Sequence, residues 1–87
     1  MYRSEPVSVF VRKMKKLQKK DRLRYERVAK KIIEICDEPH HYESLGNVMA
    51  GMFRVHIDPF VLTFEIDEAR KIVRFLNFDH HDKIYKN

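Results

Sequence analysis

Two apolar stripes with helical spacing run through the first half of the chain. The first stripe consists of Val7, Phe10, Met14 and Leu17. The second consists of Leu23, Val28, Ala29, Ile32, Ile33 and Cys36. Steps of three and four residues predict two amphipathic helices, with a break near residues 18–20 and Asp21 as the cap of the second. The second helix should end before Pro39, because the residue preceding a proline disfavours helical geometry. Two adjacent helices of this kind predict an αα-hairpin.

After Pro39 the period of the pattern changes from helical to two. Residues 52–57 and 60–66 alternate between apolar and polar side chains, and the turn signal Asp58-Pro59 separates them. Residues 67–70 predict a hairpin loop before a last strand at 72–79. The facing of that strand is ambiguous, because Ile72-Val73 and Phe75-Leu76 each place two apolar residues in succession. Residues 40–51 are predicted to form a connecting loop, and residues 1–5 a short opening strand.

These elements predict an α+β fold in which an N-terminal strand and an αα-hairpin pack on a small antiparallel β-meander. The length of 87 residues suits one domain, 1–87. The face of the sheet away from the helices should carry Arg54, His56, Val61, Thr63 and Glu65. That face is either the seat of a function or simply the solvated side of the sheet.

Charge is distributed unevenly along the chain. Residues 1–36 contain 12 Lys and Arg and 4 acids, for a net charge of +8, whereas residues 37–87 contain 6 Lys and Arg and 9 acids, for a net charge of −3. A cationic first half suits RNA or an acidic protein partner. It is equally consistent with a solvated helix surface. The lysines of the first helix that would contact RNA are Lys15, Lys16, Lys19 and Lys20.

The sequence gives little sign of secretion, of a membrane-spanning segment or of a metal-binding site. The N-terminus lacks the apolar stretch of a signal peptide, and no apolar run approaches the roughly 18 residues of a membrane span. The single cysteine, Cys36, lies on the second stripe as a small core residue, and a cytoplasmic protein is expected. The four histidines at 40–41 and 80–81 form two adjacent pairs. Neighbours on a strand face opposite sides, so we expect no metal and no other cofactor.

The order of the elements and the residues along them resemble the RelE/ParE toxin family. The matching positions are Leu17 and Pro39 near the helix ends, Leu45, Ala50 to Arg54 entering a strand, Phe60 to Ile66, and His80 to Tyr85. The resemblance implies a toxin of a type II toxin–antitoxin system. RelE-like members cleave mRNA on the ribosome without a metal, whereas ParE-like members inhibit DNA gyrase. It also implies a cognate, RelB-like antitoxin and allows a toxin–antitoxin heterotetramer.

The resemblance further implies the residues of a catalytic site. By position in the family's pattern these are Glu43 as general base, Arg54 and His56 as RNA-facing strand residues, His81 for proton transfer, and Tyr85 in the RNA site. Arg54 and Lys83 join the four helix lysines as RNA-binding candidates. Histidine as a residue type titrates near neutrality and suits either proton-transfer role.

One departure from the family's pattern bears on the activity. Val61 occupies a position where nuclease members usually have arginine, so a cation expected at the phosphate is missing. Two alternatives to a nuclease therefore stay open. One is a member that does not cleave RNA, either a gyrase inhibitor or a weakened toxin that binds its antitoxin. The other is a basic nucleic-acid-binding module that uses the helical hairpin.

Overall fold

Among the described residues, the fold consists of a mixed sheet, two longer helices and a short third helix. The computed structural model describes residues 1–44 and 51–84. In chain order the elements are β1 (Arg3–Pro6), α1 (Ser8–Lys20), α2 (Arg22–Asp37), a 3₁₀ turn (Pro39–His41), β2 (Glu43–Ser44), β3 (Met52–Ile57), β4 (Phe60–Asp67), β5 (Ile72–His80) and α3 (His81–Ile84). The predicted α+β class is confirmed, as is the order of the opening strand, the helical hairpin and the last three strands, whereas β2, the 3₁₀ turn and α3 were not predicted.

The hairpin of α1 and α2 turns at a single residue. Asp21 separates the two helices, and its side chain accepts a hydrogen bond from the backbone N–H of Arg24 at 3.1 Å. A carboxylate in this position satisfies one of the backbone donors that the first turn of a helix leaves unpaired. The predicted cap is therefore confirmed, although α1 extends through Lys20, beyond the break expected at 18–20.

The apolar stripe of α2 was predicted too broadly. Leu23 is 76% exposed and Ile33 is 60% exposed, whereas Val28 and Cys36 are buried as predicted. Ile35 is also buried, although the predicted stripe did not include it. At 3.6 residues per turn, Leu23 and Ile33 each lie about 140° around the axis from Val28, and Ile35 only about 20° from it. Because α2 packs through one face, residues that far from Val28 remain in solvent.

The sheet has the order β1-β5-β4-β3-β2 across the described residues. The three consecutive strands β3, β4 and β5 form the predicted antiparallel meander. The opening strand joins it parallel to β5, with Arg3 opposite Ile72 and Pro6 opposite Phe75, which makes the sheet mixed. The loop predicted at 40–51 is wrong in its first part, since the chain there forms the 3₁₀ turn and then β2, paired antiparallel with β3. Residues 45–50, Leu45 among them, lie outside the described residues.

A register shift between Thr63 and Phe64 resolves the ambiguous facing of β5. Thr63 pairs with Asn77, but Phe64 pairs with Phe75, so β5 has one extra residue at this point. Such an irregularity turns the following side chains to the other face. It lets both Phe75 and Phe78 contribute to the core although they are three residues apart.

The core lies between the helices and one face of the sheet. Its buried members are Phe10, Met14, Val28, Ile35, Cys36, Val55, Leu62, Phe64, Val73, Phe75 and Phe78. Phe64 stacks on Phe53, with ring centroids 5.4 Å apart, and packs against Phe75. None of the helices described here combines the length and apolar character needed to cross a membrane.

The opposite face of the sheet is less polar than its sequence predicts. Val61 is 0% exposed and Thr63 is 3% exposed, so these two positions are not solvated. Arg54, His56 and Glu65 do reach solvent, fully or in part. The prediction of a wet face is therefore correct around its margins and wrong at its centre.

Candidate functional site

An ion pair between β2 and β3 fixes the first two candidate residues. Glu43 lies directly opposite Arg54 in the antiparallel register, and the Arg54 guanidinium donates a hydrogen bond of 2.6 Å to Glu43 Oε1. This hydrogen bond, with the charge of Arg54 behind it, lowers the pKa of Glu43 below its ordinary value, and His56 contributes weakly in the same direction. A carboxylate with a lowered pKa is a poorer proton acceptor at neutral pH. The geometry thus suits Glu43 for holding Arg54 more than for acting as the base.

Two histidines that are distant in sequence are stacked next to this ion pair. His56 lies two residues after Arg54 and so on the same face of β3. His81 begins α3, where its backbone N–H donates to the carbonyl of Pro59 at 2.9 Å. The two imidazole rings have centroids 6.0 Å apart and planes inclined by 30°. The turn at 58–59 thus brings the start of α3 back over β3.

Val61 lies beneath this pair as a buried, uncharged position. It is opposite His56 on one side and Asp79 on the other, and residues directly opposite share a face. Asp79 is bound to Lys13 of α1, whose ammonium donates to Asp79 Oδ2 at 2.8 Å and to Asn77 Oδ1 at 2.7 Å. Burial opposes ionisation of Asp79, but the bonds from Lys13 and from the His80 N–H outweigh it and lower the pKa.

A cleft extends from His56 toward α2. It has a volume of about 400 Å³ and is lined by Arg27, Lys30, Lys31 and Glu34 of α2 and by His56, Ile57 and Asp58 of β3 and the following turn. Arg27, Lys30 and Lys31 were not among the site residues predicted from the sequence. Their spacing of three and four residues, which places them on one helix face, was a signal that could have found them.

The remaining predicted site residues are not drawn into this cluster. Lys15, Lys16, Lys19 and Lys20 are exposed on α1, and Lys83 is exposed on α3. Among the described residues, none of the four α1 lysines lines the cleft beside His56. Tyr85 lies outside the residues that the structure describes. Of the five catalytic candidates, four are therefore gathered as two neighbouring pairs.

His40, from the adjacent histidines at 40–41, lies in a different part of the molecule. His40 binds Glu68 at 2.6 Å, and the same carboxylate accepts from Tyr2 and Lys71. Those three partners, Lys71 foremost, lower the pKa of Glu68 to about 2. The cluster joins the 3₁₀ turn, the N-terminus and the β4–β5 loop, about 20 Å along β4 from Val61. Across the described ranges, no group of three or more His, Cys, Asp or Glu side chains converges on a common metal position.

Similarity to known proteins places this fold in a family. The sequence profile of the ParE toxin of type II toxin–antitoxin systems (parDE) matches residues 9–85. A Methanocaldococcus jannaschii protein named "Putative toxin RelE4" is 44% identical over 87 residues, which cover 99% of this chain and 93% of the relative.

Two solved structures share the fold. The RelBE2 toxin–antitoxin complex of Mycobacterium tuberculosis contains a chain that matches with a TM-score of 0.78 and 23% identity, over 92% of this chain and 98% of that one. A YoeB/ParE toxin from Agrobacterium tumefaciens matches with a TM-score of 0.81 and 14% identity, over 91% and 98%. The chain therefore belongs to the RelE/ParE superfamily, the toxins of type II toxin–antitoxin systems.

Proposed function

We propose that this protein is the toxin of a type II toxin–antitoxin pair and that it cleaves mRNA on the ribosome without a metal. The observation that carries the proposal is the stacked pair of His56 and His81 beside Arg54. A cation and two groups capable of proton transfer suit the transesterification in which a ribose 2′-hydroxyl attacks its own adjacent phosphate.

The chemistry assigns one proton transfer to each imidazole. One ring accepts the proton of the 2′-hydroxyl as its oxygen forms a bond to phosphorus. The other donates a proton to the 5′-oxygen as the phosphorus–oxygen bond breaks, leaving a cyclic phosphate and a free 5′-hydroxyl. Hydrogen-bond reach of roughly 3 Å from each ring allows rings 6.0 Å apart to serve two oxygens of one phosphate.

Arg54 supplies positive charge to stabilise the phosphate oxygens while the phosphorus is under attack. A guanidinium can donate two parallel hydrogen bonds to phosphate oxygens. In the free protein, one nitrogen of Arg54 is bound to Glu43. That carboxylate holds the guanidinium on the strand face, and it assumes the positioning role in place of the general-base role implied by the family's pattern.

Cleavage of ribosome-bound mRNA tests the assignment. Primer extension on programmed ribosomes should show cuts within codons, and His81→Gln and His56→Gln should each lower the single-turnover rate by about 10²–10⁴-fold. Glu43→Gln should cost less than about tenfold and keep the shape of the pH profile, because the lowered pKa of Glu43 leaves it ionised throughout the neutral range. His40→Gln, in the distant Glu68 cluster, is the matched control. Absence of cuts at large excess of protein, or equal losses in all four variants, would contradict the proposal.

The proposed partner is an antitoxin that binds this chain. The similar structure from Mycobacterium tuberculosis is a complex of toxin with antitoxin. The net charge of +8 over residues 1–36 favours an acidic partner. A neighbouring reading frame that encodes a small acidic, helical protein should restore growth when it is co-expressed, and failure of every adjacent frame to do so would oppose this proposal.

Inhibition of DNA gyrase is the second candidate function. Buried Val61, at a position where nuclease members usually have arginine, favours it, as does the match to the ParE profile. Growth arrest with intact mRNA and loss of gyrase supercoiling by the purified protein would establish it. Supercoiling that continues at high protein concentration would exclude it.

A further inference from the structure

The cleft between α2 and the end of β3 has the charge and position of a polyanion site. Arg27 and Lys30 line it, and neither has an ion-pair partner within the described residues. Lys31 pairs with Glu34 at 3.2 Å. Positive charge that is not neutralised locally attracts an external anion. Asp58 lies at the same cleft and limits its net charge without bonding either free cation.

The cleft is continuous with the candidate site through one shared side chain. His56 lines the cleft and also stacks on His81. A second hollow, lined by Asp21, Leu23, Arg24 and Arg27, adjoins it through Arg27. The cationic residues of α2 therefore form a track along one helix face that ends at the histidine pair.

We propose that this cleft binds the sugar–phosphate backbone of the RNA segment that flanks the scissile phosphate, with Arg27 and Lys30 as its phosphate ligands. The inference rests on the proposed function, because it takes the histidine pair as the point where RNA is cut. It moves the main RNA-binding surface from Lys15, Lys16, Lys19 and Lys20 of α1 to α2.

The lining favours a polynucleotide over a protein partner. Among the described residues that line the cleft, Ile57 is the one aliphatic side chain, whereas protein interfaces gain most of their affinity from buried apolar and aromatic anchors. Phosphate contacts need no such anchor, since release of counterions from the polyanion supplies much of the binding free energy. Arginine adds planar, two-pronged recognition of phosphate oxygens.

Binding of a non-cleavable RNA separates this inference from the activity. The probe is a single-stranded 2′-O-methyl RNA 12-mer, and its Kd is measured between 50 and 200 mM salt by fluorescence anisotropy. Arg27→Gln/Lys30→Gln is compared with Lys16→Gln/Lys19→Gln, which removes the same charge from exposed positions of α1. The α2 pair should weaken binding at least tenfold and reduce the salt slope by about 1.4, at about 0.7 per phosphate contact for a single strand. The α1 pair should change the Kd less than threefold.

A kinetic measurement and a peptide control complete the test. On ribosomes, the α2 pair should raise KM and leave kcat unchanged, the signature of a group that binds ground and transition states alike. Equal weakening by the two variant pairs would overturn the inference, because the binding charge would then be delocalised. The inference would also be overturned if the α2 variant bound a glutamate-rich 20-residue peptide more weakly than the wild type does but bound the RNA normally. That result would assign the cleft to a protein partner. If the 12-mer binds through α2 but no RNA is cut, the proposed activity fails and the cleft assignment stands.

Discussion

Replacement of Val61 by arginine restores the residue usual in nuclease members of the family, yet the structure opposes it. The Val61 side chain is 0% exposed, between His56 and Asp79 in the strand register. A charged group held in the place of the Val61 side chain would be shielded from water. Its natural counterion, Asp79, is already bound to Lys13. Val61→Arg should therefore destabilise the fold instead of simply adding a phosphate ligand.

The size of the loss follows from two terms. Val61→Ala removes two buried methyl groups and leaves a small cavity, which should cost about 1–2.5 kcal/mol. Val61→Arg loses similar packing and adds the desolvation of a charge, for a total of about 3–5 kcal/mol. A chain of this size has a free energy of unfolding of roughly 4–13 kcal/mol, so the arginine variant should be partly unfolded or close to it.

Urea denaturation followed by far-UV circular dichroism measures both variants. The midpoint should fall in the order wild type, Val61→Ala, Val61→Arg, with unchanged slopes if the transition remains two-state. Val61→Arg as stable as Val61→Ala would refute the reasoning, since it would mean that the guanidinium reaches solvent. In that case the same variant should be assayed for a gain in mRNA cleavage.

Three further predictions concern stability and reactivity. The pKa of Glu68 is lowered to about 2, so the ionised carboxylate contributes stability that is present above pH 4.5 and is lost as pH falls through 2. Glu68→Gln should therefore make the urea midpoint of unfolding depend less on pH in the acid range. Ile33→Ala should change the free energy of unfolding by less than about 0.5 kcal/mol, but Ile35→Ala should cost about 2–5 kcal/mol in the same urea titration. Burial, and secondarily the charge of Asp37, raises the pKa of Cys36, so a chromogenic thiol reagent should modify it slowly at neutral pH and rapidly in urea; fast labelling of the native protein would contradict this.

Periodicity alone was enough for most of the elements. The helical spacing of Phe10 and Met14 and the alternation along residues 52–57 depend only on which side chains avoid water, and the structure confirms both. Local chemistry likewise determined the cap at Asp21 and the end of α2 before Pro39. The exposed Leu23 and Ile33 show the limit of this information. A hydrophobic residue on a helix does not specify which of two adjacent faces will be covered.

The composition of the candidate site depended on tertiary structure. Residue type and the family's pattern selected Glu43, Arg54, His56 and His81 from the sequence. Only the sheet register set Glu43 opposite Arg54, and that contact lowers its pKa and changes its assignment from base to positioning residue. Only the turn at 58–59 and the start of α3 brought His81 onto His56, 25 positions earlier in the chain.

The burial of Val61 and the cleft beside Arg27 have the same origin. In the sequence, Val61 reads as a missing cation on an exposed face, and Arg27 as one basic residue among many. Strand pairing buries the first, and the packing of α2 beside β3 isolates the second next to His56. Side-chain period is a property of neighbours along the chain and is legible in the sequence. Electrostatic environment is a property of neighbours in space, so it appears only when the strands and helices are assembled.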